Sequence, residues 1–147
     1  MDYINSDWVY DLESYPNIFT FCIVHSSGKH MRVFEVSDRK DDSDSIYECL
    51  RYLVRNKCRM VGFNNVGFDY NLIHHIIEVG QDAKKKGKTP KIDYRSMYSI
   101  TVEIIESMKK DGFGKTVKES ERVVDQVDLF KIHHFIVTGK QIGRAHV

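Results

Sequence analysis

Trp8-Val9-Tyr10-Asp11-Leu12-Glu13 is the run on which the fold turns. Its β-branched and aromatic content predicts a strand over 9–13. Side chains on a strand alternate faces, so Asp11 and Glu13 share one face, roughly 6–7 Å apart. Two carboxylates on one face of a buried strand repel each other and are costly to desolvate. A divalent cation between them removes both costs, and Mg²⁺ commonly takes only one or two protein carboxylates. A strand end with two solvated acids has the same spacing, so the pair alone leaves both readings open.

Outward from this run the chain alternates strands and helices. Ser14-Tyr15-Pro16-Asn17 is turn chemistry, and Ile18–His25 reads as a second strand. Ser26-Ser27-Gly28-Lys29 is a hairpin loop, with Met31–Val36 returning. After an acidic loop, Ser45-Ile46-Tyr47-Glu48 has the capping-box pattern, followed by Leu50, Leu53 and Val54 at helical spacing. Arg59–Phe63 is a short strand and Phe68–Val79 a helix stopped by Gly80. Lys84–Lys88 is a solvated loop, residues 96–108 form a third helix broken at Gly112–Lys115, and Val123–Ile132 is a last strand. Three antiparallel strands followed by helix, strand and helix predict a mixed α/β sheet with helices packed on it and the first strand central.

The whole chain sets bounds. Its 147 residues make about one domain, and a 41% hydrophobic content supplies a real core. A net charge of +1 gives no global basic footprint, so a nucleic-acid partner would need a local cleft where metal ions offset acids. Cys22, Cys49 and Cys58 lack CxxC spacing and argue for a reduced, cytoplasmic setting. No apolar run is long enough to span a bilayer, and the N-terminus does not read as a signal peptide.

A second informative segment is Gly62-Phe63-Asn64-Asn65-Val66-Gly67-Phe68-Asp69-Tyr70, where a strand ends and a helix begins. That position in an α/β sheet is a common ligand site. Asp69 falls in the first helical turn, where the helix dipole favours an anion, so it also reads as an ordinary capping acid. Phe68 reads as a core aromatic or as a ring that stacks on a base.

Asp11-x-Glu13 followed by Asn65-x-x-Phe68-Asp69 resembles the first two exonuclease motifs of family B DNA polymerases. The segment Gln126-Val127-Asp128-Leu129-Phe130-Lys131-Ile132-His133-His134-Phe135 is similar to phage members, those of the protein-primed branch being nearest. The resemblance covers about residues 5–135 and implies a 3′→5′ proofreading domain of ribonuclease H-like (DEDD exonuclease) fold. It gives Asp11, Glu13 and Asp69 to two Mg²⁺ or Mn²⁺ ions roughly 3.5–4 Å apart that hydrolyse the terminal phosphodiester of single-stranded DNA. It gives Ser14, Asn65 and Phe68 to the grip on the 3′ end, although Ser14 also reads as a turn residue. The implied partners are that DNA end, a polymerase domain and a terminal protein as primer, in a host cytoplasm, with no membrane.

The family uses a fourth acidic ligand and a nearby tyrosine on a late helix. No segment here matches that third motif, and Asp128, expected on a strand, is not a substitute. Ile142-Gly143-Arg144-Ala145-His146-Val147 resembles a translated sequencing adapter. The expectation is therefore a partial exonuclease domain over 1–135, a non-native tail over 136–147, and little activity from the 147 residues alone. A stand-alone nuclease of this fold and a non-catalytic single-strand-binding module are the alternatives. His74-His75 point about 100° apart on a helix and His133-His134 point to opposite strand faces, so neither pair clamps an ion. Cys22 reads as strand-core packing.

Overall fold

Alternation in the first strand sorts the whole sheet into a covered and an open face. In the computed structural model, which describes residues 3–111 and 116–132, β1 (Asp7–Tyr15) buries Trp8, Tyr10 and Leu12 and exposes Val9, Asp11 and Glu13. β2 (Ile18–His25) pairs antiparallel with β1, and β3 (Arg32–Ser37) antiparallel with β2. β4 (Arg59–Gly62) and β5 (Asp125–Asp128) extend the sheet on the other side, each parallel to its neighbour. The order is β3-β2-β1-β4-β5, so β1 is central, as its pattern predicts.

Three helices complete the α/β architecture: α1 (Ser43–Arg55), α2 (Asp69–Lys85) and α3 (Tyr94–Asp111). Ile46, Leu50 and Leu53 from α1, Leu72, Ile73, Ile76 and Ile77 from α2, and Met97 from α3 join Phe19, Phe21, Phe34 and Met60 of the sheet in one core. Removing this apolar surface from water is the main stabilising term. The parallel step from β4 to β5 requires a crossover, which α2 and α3 supply. The other sheet face carries Val9, Asp11, Glu13, Cys22 and Val33, all exposed. Among the described residues no helix is long and apolar enough to cross a membrane.

Several boundaries differ from the sequence reading. Ser14 and Tyr15 continue β1, because Ser14 pairs with Phe19 and Tyr15 with Ile18, leaving Pro16-Asn17 as the turn. α1 starts at Ser43, two residues before the expected capping box; the Asp41 carboxylate accepts from the Ser43 N–H at 3.0 Å. Lys84 and Lys85 close α2 rather than belonging to a loop. β5 stops at Asp128 and residues 129–132 turn helical, because the Asp128 carboxylate accepts the Phe130 N–H at 3.0 Å. The expected break at 112–115, His133-His134, Phe135 and the 136–147 tail lie outside the described residues.

Gly80 does not stop α2. It lies inside the helix, buried, at the point where α2 meets the Tyr47 ring of α1. A Cβ at Gly80 would come within 2.0 Å of Cδ1 of that buried ring. Alanine gains about 1 kcal/mol of helix propensity over glycine, but overpacking a filled core costs about 1–3 kcal/mol. Gly80→Ala is expected to lower stability by up to about 2 kcal/mol on that balance. A denaturation midpoint equal to or above that of the parent chain would show that the two helices part without cost.

Candidate metal-binding site at the end of the central strand

β4 pairs with β1 only at residues 7–9, so the C-terminal half of β1 runs past the end of β4. That leaves backbone N–H groups of β1 unpaired on this side. The chain leaving β4 turns sharply at Asn64, whose φ of 57° lies in the left-handed region that asparagine tolerates. It then enters α2 at Asp69, and the Asp69 carboxylate fills the vacant slot: Oδ2 accepts the Leu12 N–H at 3.2 Å. Leu12 sits between Asp11 and Glu13, so a segment 57 residues away delivers a third carboxylate to this strand end.

The three acids have different surroundings. Asp11 and Glu13 stand on the open sheet face, not on a buried one, so the desolvation cost expected from sequence falls on Asp69 instead. Asp69 is 9% exposed. Burial, with the negative charges of Asp11 and Glu13 adding to it, pushes its carboxyl up to about 6 against the pull of the Leu12 N–H. Glu13 also accepts a hydrogen bond from the Tyr15 hydroxyl at 3.0 Å.

Without a bound metal, protonation of Asp69 couples to folding. The carboxyl of Asp69 ionises near 3.8 when unfolded and at about 6 when folded. The folded state therefore holds more protons between these values, and stability falls as pH rises through that window. The full cost is present above pH 6. Asp69→Asn is expected to raise stability at pH 7–8 by about 1–2 kcal/mol and to flatten the slope between roughly pH 4 and 6. Glu35, held down at about 2 by Arg39 and Ser37, acts in the opposite sense and at lower pH. Urea midpoints across pH 4–8 test this; a variant with an unaltered slope contradicts it.

The loop before Asp69 is held by β5. Asn65 is fully buried; its Nδ2 donates to Gln126 Oε1 at 2.8 Å, and that oxygen also accepts the Tyr10 hydroxyl at 2.7 Å. The Asn65 Oδ1 has no partner among the described residues. Gly62 makes room for this arrangement, since a Cβ there would press on the Asn65 side chain at 3.0 Å. Asp128 accepts the N–H groups of Asn64 at 2.8 Å and Val66 at 3.2 Å besides that of Phe130. Both its oxygens thus hold backbone.

The six residues singled out from sequence fall into three groups. Asp11 and Glu13 flank Leu12 in sequence and Asp69 reaches its N–H, near enough for their charges to act on Asp69. Asn65 and Phe68 lie in the loop leading to Asp69, Phe68 half-buried against the core. Ser14 shares the helix-covered side of β1 with Tyr10 and Leu12, and its buried hydroxyl has no partner among the described residues. Cys22 is not packed in the core: it pairs with Asp11 and is exposed, its thiol pushed up by partial burial and by Asp11 and Glu13. The roles of Gln126 and Asp128 were not legible in advance. Their one signal is two polar residues at alternate positions of a short strand.

Among the described residues no three His, Cys, Asp or Glu side chains converge closely enough to grip an ion as they stand. The donor set nevertheless fits a hard cation, being all carboxylate oxygens. Burial is the main cause of the upward push on Asp69, and the smaller part that comes from the charges of Asp11 and Glu13 is a repulsion such a cation would relieve. No protein-family model and no curated protein matches this chain.

Proposed function

We propose that this chain carries a divalent-metal-dependent 3′→5′ exonuclease site of the ribonuclease H-like, family B polymerase type, acting on single-stranded DNA. The observation that carries this reading is the Asp69 carboxylate on the Leu12 N–H, which joins the two motif segments at one strand end. The strand order β3-β2-β1-β4-β5, with β2 alone antiparallel, supports it. Asp11, Glu13 and Asp69 would hold Mg²⁺ or Mn²⁺. Bound there, the metal would supply Lewis-acid stabilisation of phosphoryl oxygens and a lowered water pKa.

The chain's own groups do the rest. Asp11 and Glu13 face solvent, where a DNA end has access. Asp69 is fixed by the Leu12 N–H, while Gln126 and Asp128 fix the loop that carries Asn65 and Phe68 towards it. Those two positions are, with Ser14, the ones the resemblance gives to gripping the terminal nucleotides. The reading implies a polymerase domain and a primer protein as partners of the complete enzyme.

The test is directional. A polypeptide carrying residues 1–132 together with the fourth acidic ligand that the resemblance requires is given a 5′-labelled single-stranded oligonucleotide and Mg²⁺. Stepwise shortening from the 3′ end, stopped by EDTA, is the expected result. Binding of the oligonucleotide without cleavage and without sensitivity to EDTA would favour a single-strand-binding module instead.

A further inference from the structure

A cavity of about 460 Å³ opens at the opposite end of β1 and on the other, helix-covered side of the sheet. Its volume is in the range of small-molecule sites. Trp8 from β1, Phe34 from β3 and Tyr52 from α1 supply aromatic walls, with Tyr3, His30 and Arg32 around them. Trp8 and Tyr52 meet edge to face at 6.4 Å, so their rings present different planes to the space between strand and helix.

The polar groups here are cationic or neutral. Arg32 lies over the Phe34 ring at 5.5 Å, and among the described residues no carboxylate is within ion-pair distance of it. Arg39, Arg51 and Arg59 each have a carboxylate partner; Arg55 and Arg95 have none among the described residues, but they do not line this cavity. The register places Arg32 opposite Ile23, on the face that the cavity occupies. The Tyr52 hydroxyl makes no hydrogen bond to the described residues, whereas the Trp8 Nε1–H donates to Ser6 Oγ at 3.1 Å. An aromatic chamber with one unpaired guanidinium and one spare hydroxyl is complementary to a planar ring that carries an anionic group.

We propose that this cavity binds a small aromatic anion, its ring against Trp8, Phe34 and Tyr52 and its phosphate or carboxylate on Arg32. Cys49 lines the same space, and burial pushes its thiol up to about 11, so the site holds its ligand without a thiolate nucleophile. The site is separate from the carboxylates on the far end of β1 and does not depend on their role.

Trp8 is the chain's single tryptophan, so its emission reports on this cavity alone. The full chain in EDTA is titrated with deoxyadenosine monophosphate, phenylacetate, deoxyadenosine and inorganic phosphate, each to millimolar concentration. The expected result is saturable quenching or shift of Trp8 emission by a ring-bearing anion, with the neutral nucleoside and bare phosphate much weaker. Which of the two anions binds more tightly identifies phosphate or carboxylate as the preferred group. Arg32→Gln, an exposed change that leaves thermal unfolding unaltered, is expected to weaken binding about tenfold. Asp11→Ala is expected to bind as the parent does. No saturable response to either anion, equal binding of the neutral nucleoside, or unchanged affinity in Arg32→Gln would overturn the proposal.

Discussion

In a polypeptide that also carries the fourth acidic ligand, Asp11→Ala is expected to reduce Mg²⁺-dependent release of 3′-terminal nucleotides about 10³-fold, the scale of losing several kcal/mol of charge stabilisation in the transition state. The side chain stands exposed on an open sheet face, with Cys22 opposite it and no hydrogen bond to the described residues. Its removal leaves no buried group unpaired, so stability should stay within about 0.5 kcal/mol. That separation gives the variant its value: a folded chain with lost turnover assigns the loss to chemistry rather than structure. Glu13→Ala should behave alike, with a small added effect from the Tyr15 hydroxyl it leaves behind. Full activity in Asp11→Ala would show that the strand pair is two solvated acids and nothing more.

Asp128→Ala is expected to have the largest effect on stability, about 2–4 kcal/mol, because it strips a buried carboxylate from several N–H donors at once. Asp128 is 7% exposed and accepts from Asn64, Val66 and Phe130. Asn64 also holds a positive φ, so the turn depends on these bonds to offset its backbone strain. Asp128→Asn keeps one acceptor oxygen and should cost less, about 1–2 kcal/mol. Because the same loop leads into Asp69, the alanine variant should also lose function, whereas Asp11→Ala loses function alone. A chemical-denaturation loss below about 1 kcal/mol for Asp128→Ala would mean that water replaces the carboxylate at no cost.

Local pattern carried most of the fold. Ile18–His25 was readable at its observed bounds because Phe19, Phe21 and Ile23 alternate cleanly between turn residues. The central place of β1 followed from needing partners on both sides. What pattern could not supply was the partner of each face. Alternation puts Asp11 and Glu13 together, but only the packing of all three helices against Trp8, Tyr10 and Leu12 makes their own face the open one. Cys22 goes with them for the same reason.

Gly80 shows the same limit in a helix. Glycine after an apolar run reads as a stop, yet here it is a contact point whose cause is a tyrosine more than thirty positions earlier. Ser45 and Glu48 have capping spacing, but the helix begins where Asp41 and Asp42 hold the chain against β3. At the site, the carboxylates were legible as residue types and order, while the register that brings Asp69 to Leu12 was not. It depends on where β4 stops pairing, which no local signal encodes.

Binding of Mn²⁺ to the full chain, followed by calorimetry and by the loss of free-ion paramagnetic resonance, tests the central claim most directly. Saturable binding is expected that raises the unfolding temperature by linkage and disappears in both Asp11→Ala and Asp69→Ala. Arg32→Gln is expected to bind the ion as the parent chain does. Absence of Mn²⁺ binding by the parent, or binding retained when Asp11 and Asp69 are both replaced, would contradict the claim.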